Sequence, residues 1–573
     1  MSSGDARGDF IGGGFTGDGD GGGQALRSID PANGTLVYET PTDVARIGTA
    51  MDAAAEALPA WRRLGMDERL AALHRFRAAL GDRRASIAEA LRREVGKVAR
   101  EAAAETGALL SRFDLIEERV RRDLRDGPLP GHPNEALVHQ PHGVVGVVGP
   151  FNFPLHLCHA HVVPALLLGN TVVLKPSEVA PLAAHRYAEA AAAAGLPPGV
   201  LNVVHGRGAA GAALVAHREL RALAFTGSWP TGRKILEALL DRPEVLVALE
   251  MGGKNVSVVA EDADLRQAAH EIVVGGYLTT GQRCTCTDRV LVHRRLVEPL
   301  TEAVARLVRS LRLGDPTDPE SFAGPLATET GREKLLAALQ AARQGGAEEV
   351  ARGWASDRGP GFVPPTVHRL PAGTHRIPGY TDVELFGPDV GIEVFDDDDE
   401  ALALLTDAPG GLAYSVFSAR RDRFEHFVGR VPTGILNWNR STNQASPRLP
   451  FGGVGKAGNF RPAGAYAPRN LAIPVAVQSN QPRAFAPNPL LVPHLPAPDL
   501  DELEAQHRRE EAREAQRSLG ATPRPEALSL PPGGHLPTSE ALQDRLYAGD
   551  RVVREKKPPV VDALRSRGPW LVS

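Results

Sequence analysis

GVVGVVGP, residues 143–150, is a valine run broken by glycines and closed by a proline. Its length and β-branched content read as a strand buried on both faces. Three further stretches share this texture: TVVLKP (171–176), LNVVHG (201–206) and ALAFTGS (222–228). Ala-rich helical stretches such as PLAAHRYAEAAAAAG (181–195) lie between them. Strands alternating with helices predict an α/β fold with a parallel sheet wound by crossovers. Ligands on such sheets sit beyond the carboxyl ends of the strands.

Working outward, residues 44–106 read as helices, with Ile87, Leu91 and Val95 recurring every four positions. A second α/β region runs from about Gly252 to Gly458, with a helix expected over Leu265–Leu278. The first 23 residues are glycine-rich and acidic and read as a flexible arm. After about Asn480 the chain becomes Pro-rich, and the charged segment DELEAQHRREEAREAQRSLG (501–520) reads as a solvated helix. This extension, 484–573, is expected to be partly disordered surface, or an arm that contacts a partner.

Net charge is −4, from 65 basic and 69 acidic residues, which gives no basic excess for nucleic acid or an acidic membrane surface. No apolar run reaches the roughly 20 residues that cross a bilayer. With three cysteines in 573 residues and no basic-then-apolar start, the expected compartment is the cytoplasm.

Two of those cysteines stand close together in TTGQRCTCTDR (279–289). A metal site needs about four ligands, and nothing here supplies the others. A disulfide between Cys284 and Cys286 would be strained, so a buried structural thiol and a nucleophile both stand as readings. PFNFP (150–154) sets Asn152 directly after a strand, as a turn residue or as an amide donor to a developing oxyanion. ALEMGGKN (248–255) ends a strand at Glu250, which in an apolar setting could act as a general base. KPSE (175–178) gives Lys175 and Glu178 at a strand end, both able to bond ribose hydroxyls. A carboxylate there repels a 2′-phosphate and so favours NAD over NADP. FTGS (225–228) offers the Gly227 and Ser228 region to a pyrophosphate, and GRGAAG (206–211) is a weak Gly-rich match.

PFNFP, KPSE, FTGS, LEMGGK, GQRC, ELFGP (384–388) and PFGGVGKAG (450–458) follow one another in that order over about residues 24–480. Together they resemble the aldehyde dehydrogenase superfamily. The resemblance implies a Rossmann-like coenzyme domain (24–121 and 144–250), an α/β catalytic domain (251–459) and a bridging β-hairpin (122–143 and 460–483) that builds homodimers or homotetramers. It implies Cys284 as nucleophile, Asn152 and the Cys284 N–H as oxyanion hole, and Glu250 as general base. Lys175 and Glu178 match adenosine-ribose contacts, Ser228 a pyrophosphate contact, Glu384 the nicotinamide-ribose anchor, and Phe386 the aromatic beside the nicotinamide. Cys286 matches no catalytic position. The implied cofactor is NAD, with no metal, and the implied substrate is a small aldehyde.

Residues 153–178, GQRCTC (281–286), NWN (437–439) and 450–466 look most like the succinylglutamic semialdehyde dehydrogenase branch, which serves arginine breakdown. A substrate of that kind carries two carboxylates, so cations near the entrance are expected. Arg283, Arg440 and Arg461 are candidates. His156 and His159 match positions of the same branch, or else are packing residues. Lys254 and Arg440–Ser441 depart from the branch's usual residues, which leaves another semialdehyde or a generic aldehyde open as substrate. A coenzyme A-acylating dehydrogenase is a further alternative, against which Glu250 argues.

Overall fold

The computed structural model describes residues 8–17, 25–359, 361–407, 410–480, 488–494 and 504–513. The chain divides into two units, one built from residues up to Leu124 and from Gln140 to Ile473, the other from Arg125–His139 and the chain after Pro474.

The first unit holds two seven-stranded sheets. In one, Leu246–Glu250, Leu220–Thr226, Val144–Val148, Thr171–Lys175 and Leu201–Val203 lie side by side in parallel. Val144–Val148 is central and buried along nearly its whole length, as its unbroken apolar run requires. The chain leaves this strand toward one edge and later returns on its other side, so the strand order reverses between Val144–Val148 and Leu220–Thr226. Such a reversal opens a crevice at the carboxyl ends. PFNFP and FTGS both stand there.

The second sheet runs in the order Glu348–Arg352, Thr366–Arg369, Asp389–Phe395, Thr287–His293, Asn255–Val259, Gly411–Phe417, Thr433–Trp438. All its pairs are parallel except that of the first strand. The expected helix forms over Leu265–Tyr277, capped by the Asp264 carboxylate accepting from the Gln267 N–H. Here the rule of carboxyl ends fails. MGGK, GQRC and ELFGP all lie just before strands, at the amino ends of the sheet. The first sheet therefore offers its carboxyl ends and the second its amino ends.

Four helices, Arg46–Arg63, Met66–Asp82, Arg84–Val95 and Ala99–Asp123, cover the stretch read as helical, 44–106, and the last of them runs on beyond it. Arg84–Val95 stops at Gly96, which has φ +76° and whose missing Cβ would lie 2.8 Å from the Pro325 ring. Only glycine suits that position.

Part of the expected N-terminal arm is folded. Phe10–Ile11 and Gly14–Phe15 form a hairpin whose first strand pairs with Leu201–Val203. Asp9 is fully buried, accepting from the His205 N–H at 2.7 Å and pairing with Arg46 at 3.4 Å. The glycines that suggested flexibility at Gly12 and Gly13 instead make a tight turn, at φ +59° and +87°. The rest of the arm lies outside the described residues.

In the second unit, Gly127–Leu129, His132–Pro141 and Ala472–Gln478 form a three-stranded sheet in the segments read as bridging. Of the C-terminal extension, residues 504–513 are helical and mostly exposed, in the segment read as a solvated helix. Most of 484–573 lies outside the described residues. Among those described, no helix is long and apolar enough to cross a membrane.

Candidate active site

The cysteine loop is held in a conformation the chain would not choose by itself. Thr279 and Thr280 have φ of +55° and +58°, and Gly281 follows at +72°. A β-branched residue at positive φ costs about 1–3 kcal/mol, so the surroundings must impose it. They do so through buried partners. Glu101 accepts from both the Thr279 N–H (2.8 Å) and its hydroxyl (2.9 Å). The Thr280 hydroxyl donates to Gly324 O at 2.8 Å, and Gln282 Oε1 accepts from the Ala327 N–H at 3.0 Å. Beyond the turn, Asn255 Nδ2 donates to the carbonyls of both Cys284 (2.8 Å) and Cys286 (2.9 Å).

The two cysteines diverge. Cys286 is 2% exposed and its thiol donates to Gly276 O at 3.3 Å, a packed thiol as expected. Cys284 is half-buried and lines a narrow cleft together with Glu250, Thr226, Leu157, His161 and Phe451. Burial, with Glu384 and Glu250 nearby, pushes the Cys284 thiol up to about 12, while Arg283 and its own backbone N–H pull the other way. It therefore needs a proton acceptor to become a nucleophile at neutral pH.

Glu250 ends the strand Leu246–Glu250, and its backbone carbonyl is engaged by the Gly227 N–H at 2.9 Å. Its carboxylate is buried and neither oxygen has a hydrogen-bond partner. Burial raises its pKa well above the usual carboxylate range. The backbone amides of Ala463 and Gly453 offset this in part without reaching hydrogen-bond geometry. A carboxyl held in its neutral form by burial becomes a proton acceptor only once it ionises, as the pH rises.

Asn152 is 2% exposed, and its Nδ2 donates to Gln282 O at 2.9 Å, two residues before Cys284. This bond fixes the amide against the cysteine loop and leaves its second N–H to donate elsewhere.

On the other side of the crevice, Lys175 Nζ lies 3.2 Å from Glu178 Oε2. The lysine is buried and the carboxylate partly open, an ammonium beside a carboxylate at a strand end. Ser228 is exposed at the start of the helix Trp229–Ala238 and its hydroxyl makes no cap bond there, only a contact with the Thr231 hydroxyl at 3.1 Å. The first amides of that helix lack partners within the helix, as anion-binding helix starts do. A Cβ on Gly227 would meet the Phe225 ring at 2.5 Å. Glu384 docks against the Gly252–Gly253 backbone, accepting from the Gly253 N–H at 3.3 Å. The residue is exposed, yet its carboxyl packs among protein atoms, and this burial with Asp288 nearby raises it to about 8. Phe386, at φ +49°, meets Phe151 edge-on at 5.7 Å. These groups fit a dinucleotide, with hydroxyl partners at one end and an aromatic wall at the other.

The Aldehyde dehydrogenase family model matches residues 18–472, most of the chain. The chain belongs to the aldehyde dehydrogenase family. It is 37% identical over 487 residues to the N-succinylglutamate 5-semialdehyde dehydrogenase of Paraburkholderia xenovorans (82% of this chain, 96% of that one). It is 36% identical to the protein of the same name from Burkholderia ambifaria (80% and 95%). Among solved structures it resembles an aldehyde dehydrogenase mutant from Pseudomonas syringae complexed with NAD+ and octanal, at 27% identity and a TM-score of 0.78 (84% and 98%). The aldehyde dehydrogenase fold is thereby shared, and the enzyme is an oxidoreductase of the aldehyde group.

Within this aldehyde dehydrogenase the expected substrate cations disperse. His159 is fully buried, with Nδ1 at 2.8 Å from the Tyr187 hydroxyl and Nε2 at 3.1 Å from Leu109 O, so it is a packing residue and not a cleft residue. Arg440 is exposed and its Nε donates to Gln444 at 2.8 Å. Arg283 is engaged inward: it donates to the Thr279 hydroxyl at 2.9 Å, sits 3.6 Å from Glu101 and covers the Phe153 ring at 5.2 Å. Arg461 is exposed two residues before Ala463, a cleft residue. His156 opens the helix His156–Leu167 and contacts Arg112. Lys254 is buried, donating to Tyr380 O at 3.0 Å and lying 3.7 Å from Asp288, so it braces the loop before the second sheet.

Sequence reading carried the helix Ala99–Asp123 only as far as residue 106 and gave its charged residues no role. Glu101, Glu105 and Arg112 recur at spacings that share one helical face, and all three are buried. Glu105 pairs with Lys97 and accepts from the N–H groups of Leu155 (3.3 Å) and His156 (3.2 Å). Charged residues at core-facing positions of an otherwise apolar stripe were the available sign.

Proposed function

We propose that this aldehyde dehydrogenase oxidises N-succinyl-L-glutamate 5-semialdehyde to N-succinyl-L-glutamate, with NAD as cofactor, in arginine catabolism. The observation that carries the chemistry is the shared cleft of Cys284 and Glu250, with both Glu250 oxygens unpartnered. The names of the relatives support the choice of substrate.

In this reading Glu250 takes the proton of the Cys284 thiol, directly or through a water. The thiolate adds to the aldehyde carbon and gives a thiohemiacetal. The second N–H of Asn152 and the Cys284 backbone N–H hold its oxyanion; one such donor is worth about 100–1,000-fold in rate. When bound, NAD accepts the hydride that leaves the substrate carbon. Glu250 gives up the first proton to solvent and then deprotonates the water that hydrolyses the thioester, with the Cys284 thiolate as leaving group. Lys175 and Glu178 hold the adenosine ribose, Gly227 and Ser228 the pyrophosphate, and Glu384 with Phe386 the nicotinamide end. The Glu178 carboxylate disfavours a 2′-phosphate. The enzyme works in the cytoplasm as a homodimer or homotetramer, assembled through the segments 122–143 and 460–483.

The test compares kcat/KM for succinylglutamic, glutamic and succinic semialdehydes and an alkyl aldehyde, each with NAD and NADP. The expected order puts succinylglutamic semialdehyde with NAD first. A preference for the alkyl aldehyde removes the substrate assignment. Thioester formation on adding coenzyme A would remove the hydrolytic step.

A further inference from the structure

The three buried charges on the helix Ala99–Asp123 are not equally satisfied. Glu101 is engaged by Thr279 and Arg283, and Glu105 by Lys97 and two backbone amides. Arg112 has no such partner. Only 6% of it is exposed, its Nη1 has no hydrogen-bond partner, and among the described residues no carboxylate pairs with it. Among the described residues its side chain makes one hydrogen bond, from Nη2 to His156 Nε2 at 3.3 Å.

That contact fixes the chemistry of its neighbour. A guanidinium only donates, so His156 Nε2 accepts and the proton of the neutral ring sits on Nδ1. His156 Nδ1 is also buried without a partner. The nearby carboxylate, Glu105, is taken up by Lys97 and by the N–H groups of Leu155 and His156, and burial first, then Arg112 and Lys97, hold the His156 ring uncharged. Two buried donors, Arg112 Nη1 and His156 Nδ1, thus lie on touching side chains and want acceptors. A buried cation left unpaired is expensive enough that its counter-ion must be sought. The site lies close to the chemistry: Leu157, next to His156, and His161, one turn on, both line the cleft of Cys284. A group with two anionic oxygens answers both donors.

We propose that Arg112, assisted by His156, receives a carboxylate of the aldehyde substrate and sets the enzyme's selectivity for acidic semialdehydes. This rests on the acidic-substrate reading above. It moves recognition from Arg283, Arg440 and Arg461 to a buried side chain that touches the first residue of the helix His156–Leu167.

The experiment measures the ratio of kcat/KM for succinylglutamic semialdehyde to that for hexanal. The ratio does not depend on the fraction of folded enzyme. In the wild type the acidic aldehyde should win; a preference for hexanal overturns the substrate reading and this proposal with it. In Arg112→Met the ratio should fall about 100-fold, the worth of a buried charge-assisted hydrogen bond, and chiefly through KM. Arg112→Lys keeps the charge without the fork and should lose about tenfold; it gives the same reading should the Met variant fail to fold. A wild type that prefers the acidic aldehyde, with an unchanged ratio in both variants, overturns the role of Arg112 alone.

Discussion

Lys175 and Ser228 find their partners Glu178 and Thr231 three residues away. Thr279, five residues before Cys284, is held by Glu101, 178 positions away in the chain. The two walls of one cleft are thus built in opposite ways. The coenzyme-side wall is local: strands end, and the next few residues present hydroxyl, ammonium and carboxylate. The cysteine wall is imposed by distant partners, because a turn with two left-handed threonines does not hold itself. The lesson is that the groups proposed for the coenzyme come with their strand, whereas the loop of the proposed nucleophile is held by a helix far away in the chain.

Substitutions on the two walls should accordingly differ in kind. The largest effect is expected from Cys284→Ala: oxidation lost by about 1,000-fold or more, as for a deleted nucleophile, while NADH still binds. Turnover near the wild-type rate in that variant would break the contrast outright. Glu250→Gln comes next, with steady-state rate down about 100-fold and a burst of one NADH per site as the thioester accumulates. Since burial raises the Glu250 carboxyl, it ionises only as pH rises, and the wild-type rate should climb with pH through that ionisation. The climb in the deacylation step should vanish in Glu250→Gln, as a pH–rate profile would reveal.

Glu101→Ala probes the long-range support. It leaves the Thr279 N–H and hydroxyl unanswered in a buried place, so stability should drop by about 1–3 kcal/mol in urea unfolding, with kcat falling alongside. A loss of stability with kcat untouched would mean that the loop aims itself. Glu178→Gln should do least: about a fivefold rise in KM for NAD and a relative gain for NADP, the scale of roughly 1 kcal/mol at a partly exposed pair. Equal NAD and NADP kinetics before and after would separate this carboxylate from coenzyme choice.

The same division explains what could be read from the sequence. Val144–Val148 and Thr171–Lys175 are apolar runs that mean strand wherever they occur, so the parallel sheet was legible. Cys284, Asn152 and Glu250 stand close to strand ends or glycines; Cys284 and Glu250 line one cleft, and Asn152 is bonded to the cysteine loop. Glu101 and Arg112 were not legible, since a charge on a helix is usually solvated and only the packing shows that these two are buried. The amino-end placement of the cysteine loop was hidden for a related reason: strand order depends on pairings across more than a hundred residues. The folded hairpin at Phe10–Phe15 escaped because glycine-rich composition suits a turn as well as a loose tail. For His159 the sequence left a substrate residue and a packing residue both open, and only the bonding of both ring nitrogens, to Tyr187 and Leu109, decides for packing.

The unequal burial of the three thiols also supplies a counting device. Cys158 and Cys286 are each 2% exposed, whereas Cys284 is half-buried at the cleft. A small alkylating reagent at alkaline pH should tag one sulfur per native chain and three once the chain is denatured. Fractional labelling then reports how much of any preparation is competent, before a single aldehyde is added.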